Sequence, residues 1–228
     1  MQQQAYTGVD NLEVMQEAVN YNRYLLDTVR KYAPARGKVL DFGAGGGQFA
    51  APLSKHGMDV TALEPDHLLQ QRLRSQGLRV AGSTEELPDA SFDYIYTLNV
   101  LEHIEDDSAA LRSLHEKLTP TGKLLIYVPA FQVLYTSMDA KVGHIRRYTR
   151  HSLMQRVSAA GFHIERAAYA DSIGYFATLL FKLIGNKDGD VSMAALKLYD
   201  RAIFPLSRAL DVLTQRWFGK NVLVVCRK

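Results

Sequence analysis

Cysteine is nearly absent. The one thiol, Cys226, lies in the last apolar run and has no partner for an internal disulfide, so a reducing, cytoplasmic location is expected. Also missing is an apolar run of the roughly 20 residues needed to span a bilayer. The most apolar segment, Ile173 to Ile184, is short and is interrupted by Lys182. Neither sign of charge dominates: 27 Lys and Arg stand against 24 Asp and Glu, a net +3. Without an extended basic face, nothing asks for nucleic acid as a partner. The opening Met-Gln-Gln-Gln-Ala-Tyr has neither the basic nor the apolar region of a secretion signal. Repeats and low-complexity stretches are lacking, and no metal-ligand set is expected. What is present, 228 residues with 47% hydrophobic content, suffices for one large domain and its core.

Glycine is concentrated at one place. Lys38-Val-Leu-Asp-Phe-Gly-Ala-Gly-Gly-Gly-Gln48 starts as a short apolar strand and runs into Gly43, Gly45, Gly46 and Gly47. The stretch from Gln48 to Lys55 then reads as a helix. Glycines at such a junction let the chain turn sharply and let a ligand lie against bare main chain. Strand, glycine turn and helix together form the nucleotide-binding corner of an open α/β sheet. The dinucleotide fingerprint G-x-G-x-x-G/A fails here, because its sixth position is Gln48. Asp41, two residues before Gly43, would repel a pyrophosphate and attract a cation. S-adenosylmethionine (SAM) carries a sulfonium and an ammonium and no phosphate, so this corner favours SAM over NAD.

Residues 12–32 place apolar groups three and four apart and predict a helix, closed by Pro34 and Gly37. Tyr21, Asn22 and Tyr24 either pack this helix on the sheet or form a flap over the ligand. The second reading makes Tyr21 and Tyr24 candidate substrate contacts. Met58 to Glu64 predicts a second strand ending in acid, with Pro65 stopping it and Asp66 capping a helix over 67–76. Glu64 follows Gly43 by roughly 20 residues, the spacing at which an acid on the second strand reaches ribose hydroxyls. Further strands are expected at 78–81, 92–98, 123–129, 161–169 and 221–227, with helices from Asp106 or Asp107 to Leu118 and from near Thr149. Strands and helices alternating at this spacing predict βαβ units and a parallel sheet.

Val39-Leu-Asp-Phe-Gly-Ala-Gly-Gly-Gly, Ala62-Leu-Glu-Pro-Asp, Ser91-Phe-Asp-Tyr-Ile, Asn99-Val-Leu-Glu-His-Ile and Gly122-Lys-Leu-Leu-Ile-Tyr-Val-Pro follow one another in this order. They resemble the successive motifs of the class I SAM-dependent methyltransferases, over residues 37–165. The resemblance implies a Rossmann-like α/β fold: a seven-stranded, mostly parallel sheet with helices on both faces and its last strand antiparallel. It also implies SAM as cofactor and S-adenosylhomocysteine as product. By the same resemblance Asp41, Gly43 and Gly45 line the methionine part of SAM, Glu64 binds the ribose, Pro65 lies near the adenine, and Asn99 faces the amino-acid end. At one position the sequence departs from the pattern. Gly82-Ser83-Thr84 replaces the Gly-Asp-Ala of many relatives, so the adenine contact falls to Ser83 or to nearby Glu85. Two absences argue against competitors. No tyrosine has lysine four residues on, as short-chain NAD(P) reductases require, and no Asn/Asp-Pro-Pro-Tyr follows the fourth strand to hold a flipped base.

A methyl group on a sulfonium needs a nucleophile held in line more than it needs covalent help. A hydroxyl acceptor gains about 10²–10⁴-fold from a general base, and histidine is the natural one. His144, in Gly143-His-Ile-Arg-Arg-Tyr148, follows the fifth strand at the carboxyl end of the sheet, where ligands bind. Its run resembles a signature of methyltransferases of bacterial secondary or envelope metabolism, where it faces the acceptor. His144 is therefore the first candidate base. His103, a position that often serves the structure in relatives, is the second. Arg146, Arg147 and Tyr148 are candidate acceptor contacts; the bland alternative is a basic helix cap with both arginines in solvent.

Residues 171–217 separate the sixth strand from the seventh. They predict an apolar helix over 171–184, a turn at 185–190, and a long amphipathic helix over 192–217 broken or kinked at Pro205. This insertion is a lid, a homodimer face or a patch for peripheral contact with a membrane, with burial against its own domain or a second copy preferred. The chain reads as a single domain, 1–228, with 1–36 as a helical cap. The expected function is methyl transfer from SAM to a small-molecule acceptor, with oxygen favoured over nitrogen or carbon. The alternative is a non-catalytic SAM-binding partner or regulatory protein.

Overall fold

The computed structural model describes residues 17–184 and 192–228. The beginning of the first expected helix and the expected turn at 185–190 lie outside the described residues. Seven strands make one sheet: β1 Lys38–Phe42, β2 Asp59–Leu63, β3 Arg79–Ala81, β4 Phe92–Leu98, β5 Leu118–Pro129, β6 His163–Ala170 and β7 Asn221–Arg227. Their order is β3-β2-β1-β4-β5-β7-β6. β7 runs antiparallel to both of its neighbours, and the other pairs are parallel. The expected seven-stranded, mostly parallel sheet is therefore present. Strand order reverses between β1 and β4, which opens a crevice at the carboxyl ends of those strands.

The helices are α1 Val19–Tyr32, α2 Ala50–Lys55, α3 His67–Ser75, α4 Asp107–Lys117, α5 Ser137–Lys141, α6 Arg150–Ala159, α7 Ser172–Ile184, α8 Met193–Leu198 and α9 Phe204–Thr214. They cover both faces because the central strands are apolar on both faces. Leu40, Ile95, Leu124 and Val224 share one core with Leu111 and Leu114 of α4 and Leu153 and Val157 of α6. Val39, Ala62, Leu125 and Val225 share the other with Leu25 and Val29 of α1, Leu53 of α2 and Leu73 of α3. Tyr94, Tyr96 and Tyr127 are wholly buried in this second core. The Tyr94 hydroxyl donates to the Val29 carbonyl at 3.1 Å, so α1 is held to the sheet by a polar bond as well as by packing. Two helix starts fall where the sequence places them. Asp66 accepts from the Leu68 and Leu69 amides at 2.9 and 3.0 Å and begins α3. Thr149 and Ser152 exchange bonds of 3.0 Å and begin α6.

The insertion differs from expectation in one respect. The long helix over 192–217 is three pieces: α8, a π-helical turn at Tyr199–Ile203, and α9. The break precedes Pro205, whose missing amide is tolerated only in the first turn of the new helix. Buried acids anchor these pieces. Asp211 accepts from the amides of Asp171 and Ser172 at 2.9 Å. Asp171, at φ 62°, accepts from the hydroxyls of Tyr199 at 2.6 Å and Ser207 at 2.8 Å. Asp200 reaches across to the start of α1 and accepts from the amides of Asn20 and Tyr21 at 2.9 Å. The outward side of the insertion leaves Leu180, Leu183, Leu213 and Trp217 exposed.

Because Asp200 serves as the missing side-chain cap of α1, Asp200→Ala is expected to lower the unfolding free energy by about 1–2 kcal/mol. Urea melts would check this, and an unchanged midpoint with an unchanged slope would show that the cap contributes nothing.

Candidate active site

A cavity of about 700 Å³ opens at the crevice. One wall is the glycine turn, with Gly43 at φ 80° and Gly45 at φ 52°, the left-handed region that favours glycine. A Cβ on Gly43 would clash with the Val100 side chain, so the bare main chain is required by packing too. Glu64, at the end of β2, accepts from the Gly45 amide at 2.8 Å and the Asp66 amide at 3.0 Å. Burial lifts its carboxyl above the ordinary range. A carboxylate offers about four acceptor positions, so two bonds to the backbone leave room for ligand hydroxyls. Pro65 and Asn99 line the same cavity. Asn99 holds φ 55°, with its amide donating to the Tyr127 carbonyl at 2.7 Å.

Several expected site residues lie elsewhere. Asp41 is not in the wall. Leu40 and Phe42 face one core and Val39 the other, so strand pleating puts Asp41 on the side of Val39. It is 3% exposed and one carboxyl oxygen has no hydrogen-bond partner. Burial raises this carboxyl to about 7, with the Tyr96 hydroxyl opposing. The acids at the ligand corner are Glu64 and Asp66. Ser83 also stands outside the wall, and its bond with Glu85 depresses the Glu85 carboxyl. Tyr21 does line the cavity, but Tyr24 packs against Tyr127 and Phe204 with Arg208 stacked 3.8 Å above its ring. Arg146 turns to Asp107 and the Glu105 carbonyl, at 2.8 Å each. The Tyr148 hydroxyl, deep in the core, donates to Asp107 at 2.7 Å. Arg146 and Tyr148 thus secure the start of α4 rather than an acceptor.

Arg147 and His144 do reach the cavity, and they meet on a residue that the sequence reading overlooked. Asp139 of α5 accepts from Arg147 Nε at 2.8 Å and Nη2 at 2.9 Å, a bidentate pair. It also lies 2.7 Å from His144 Nδ1 and accepts from the Thr136 amide at 2.8 Å. Burial alone would raise the Asp139 carboxyl, but the bonds from His144 and Arg147 outweigh it and hold the group well below the usual carboxylate range. The only sequence signal for this role is Thr136-x-x-Asp139, a helix-start pattern inside what reads as a polar loop.

Glu102 was also passed over, although it lies within the Asn99-Val-Leu-Glu-His motif. It is wholly buried, neither carboxyl oxygen has a hydrogen-bond partner, and Oε1 lies 3.8 Å from His144 Nε2. Burial pushes its carboxyl up to about 8, with Arg147 opposing. His103 meets His144 edge to face at 4.7 Å, with its Nδ1 3.2 Å from the Gly143 carbonyl. Burial, and then the charge of His144, depresses the His103 imidazole to about 4. Glu102, His103 and His144 each bring one donor atom within 4.8 Å of the other two. Lys220 completes this side of the cavity, its ammonium lowered by burial.

A family model described as a methyltransferase domain matches residues 15–167. The chain belongs to the class I SAM-dependent methyltransferases. This methyltransferase is 32% identical over 114 residues to a ubiquinone biosynthesis O-methyltransferase of Azorhizobium caulinodans, a match covering 46% of this chain and 45% of that protein. It is 32% identical over 128 residues to an uncharacterized methyltransferase of Staphylococcus carnosus, over 54% of this chain and 60% of the other. The chain spans about half the length of the curated relatives it matches. Among solved structures, a SAM-dependent methyltransferase of Thermotoga maritima, described as a possible histamine N-methyltransferase, aligns with a TM-score of 0.68. That alignment covers 96% of this chain and 94% of the other at 19% identity, a likeness of fold. The family implies SAM, and the residues present fit it. The glycine turn leaves main chain bare beside Glu64, which keeps acceptor positions for hydroxyls.

The buried carboxyl of Asp41 sets a pH dependence. Its folded pKa of about 7 stands above an unfolded value of about 3.9. Its contribution to stability is therefore fully present below about pH 4 and is lost as pH rises through 7. The melting-temperature difference between Asp41→Asn and wild type should move in the variant's favour from pH 5 to pH 7 and then level off. A difference that stays flat across this range would show that Asp41 ionises freely in the folded protein.

Proposed function

We propose that the protein transfers the methyl group of SAM to an oxygen of a small-molecule acceptor held beside His144. The observation that carries this reading is the Asp139–His144 pair, which opens onto the same cavity as the glycine turn and Glu64. SAM supplies an electrophilic methyl on a good leaving group. Gly43 and Gly45 leave the backbone bare for its methionine part, and Glu64 takes the ribose hydroxyls. Pro65 lies by the adenine, and Asn99 meets the amino-acid end. Tyr21, with Asn22, forms the roof from α1.

On the acceptor side, Asp139 is an acceptor-only carboxylate, so the bond at 2.7 Å places the His144 proton on Nδ1 and the lone pair on Nε2. Nε2 would then take the acceptor's hydroxyl proton, while bound SAM would give up its methyl to that oxygen and depart as S-adenosylhomocysteine with the electron pair on sulfur. Asp139 stabilises the resulting imidazolium, and Arg147 keeps Asp139 ionised. Relatives among the ubiquinone biosynthesis enzymes are O-methyltransferases, which supports oxygen as the acceptor atom.

Two sets of variants test the halves of the site separately. Calorimetric titration of Glu64→Ala should show SAM affinity reduced at least about tenfold, the loss of roughly one charge-assisted hydrogen bond; full affinity would remove Glu64 from the cofactor site. His144→Ala and Asp139→Asn should lower turnover of labelled methyl into extract-derived acceptors by about 10²-fold or more, with SAM affinity nearly unchanged. Label recovered on nitrogen rather than as an ether or ester would overturn the oxygen assignment. Uptake of NAD in place of SAM would overturn the whole reading.

A further inference from the structure

Two segments distant in sequence bring Glu102, His103 and His144 together: the turn after β4 and the loop after α5. Their donor atoms lie within 4.8 Å of one another. Glu102 is wholly buried and neither carboxyl oxygen has a hydrogen-bond partner. Leaving a buried carboxyl unmatched is costly, and proton transfer to His144 makes no use of it.

The geometry points to a divalent cation bound by Glu102, His103 and His144. The groups behind these ligands are already in place. His144 Nδ1 lies 2.7 Å from Asp139, with Nε2 on the side of Glu102. His103 Nδ1 lies 3.2 Å from the Gly143 carbonyl. Ligating imidazoles ordinarily direct their second nitrogen to a carboxylate or carbonyl in this way. The neighbouring cation Arg147 is matched by its bidentate bond to Asp139 and does not set an unopposed charge against the ion. Both imidazoles line the cavity, so an ion with three protein ligands keeps its open positions toward the acceptor. Two nitrogens and one carboxylate oxygen favour Zn²⁺ or Co²⁺ over Mg²⁺ and Ca²⁺, which prefer oxygen donors. An acceptor hydroxyl on an open position would ionise more readily and pass its proton to water in the cavity; with the ion bound, His144 Nε2 holds the metal, and the base role given to it above is taken over by the ion. The inference rests on the cavity assigned above to methyl transfer, but it adds a component that methyl transfer alone does not require.

The test is calorimetric titration of the full-length, tag-free protein, stripped with a chelator and then dialysed, against Zn²⁺, Co²⁺ and Mg²⁺. One Zn²⁺ or one Co²⁺ per chain is expected, with a visible Co²⁺ absorption band and much weaker Mg²⁺ binding. Glu102→Gln, His103→Ala and His144→Ala should each weaken Zn²⁺ binding at least about a hundredfold, and Asp139→Asn about 10–100-fold. His163→Ala, on exposed β6, should change nothing. Zn²⁺ should raise the melting temperature of wild type but not of Glu102→Gln, which keeps a ligand variant informative even where another fails to fold. Failure of wild type to bind stoichiometrically, or binding unchanged in all three ligand variants, overturns the site. Full turnover in the stripped protein overturns it too and leaves methyl transfer standing. Loss of SAM binding by the zinc-loaded wild type would strike at the methyl-transfer reading instead.

Discussion

One carboxylate supports the acceptor side of this molecule. Asp139 grips Arg147 with two bonds and His144 with a third, and Arg147 also donates to the Ala130 carbonyl at 3.2 Å just beyond β5. Arg147 is itself buried, with a side chain 6% exposed. Without Asp139 its charge would lie unmatched in a low-dielectric wall, an arrangement that costs several kcal/mol. Its partner therefore fixes the whole excursion from α5 to Tyr148. The imidazole is aimed because the guanidinium has to be neutralised.

The acids around His144 are separated by environment. Bonds from His144 and Arg147 hold the Asp139 carboxyl far down, whereas burial without partners lifts that of Glu102 to about 8. Two carboxyls flanking His144 are thus driven to opposite protonation preferences, the pattern that marks sites built to move protons. On the cofactor side Glu64 is also raised by burial, yet two backbone amides give its oxygens fixed directions. It acts as a structural clamp on the glycine turn before any ligand arrives.

Most of the fold could be read from residue order, since strand and helix periodicities are local and their boundaries carry chemical marks such as Asp66 and Thr149. Gly43, Gly45 and Glu64 stand out by type and spacing for the same reason, and the structure brings all three to one cavity wall. Asp41 shows what charge alone leaves open, namely which side of a pleated strand a group occupies; its neighbours Leu40 and Phe42 lie in one core and Val39 in the other. Arg146 and Arg147 are adjacent in the chain but serve opposite ends of the loop, one at α4 and the other at Asp139, and no local rule separates them. Asp139 and Glu102 escaped notice because their roles exist only after distant segments meet. A five-residue helix within a polar loop gives too little periodicity to place the first. Burial of the second depends on packing that no short window of sequence contains.

The contact between Asp200 and the amides at the head of α1 spans 180 positions of chain. During synthesis the early strands and their helices can collapse as they emerge, but the segment bearing Tyr21 lacks its terminal acceptor until the insertion has been made. Long-range closures of this kind form late, because loop entropy must be met before the contact returns anything. The nascent protein would therefore carry the head of α1, next to the cavity-lining Tyr21 and Asn22, without its cap through most of translation. That edge of the cavity would be fixed only when the turn at Tyr199–Ile203 docks, a built-in delay between having a sheet and having a finished wall.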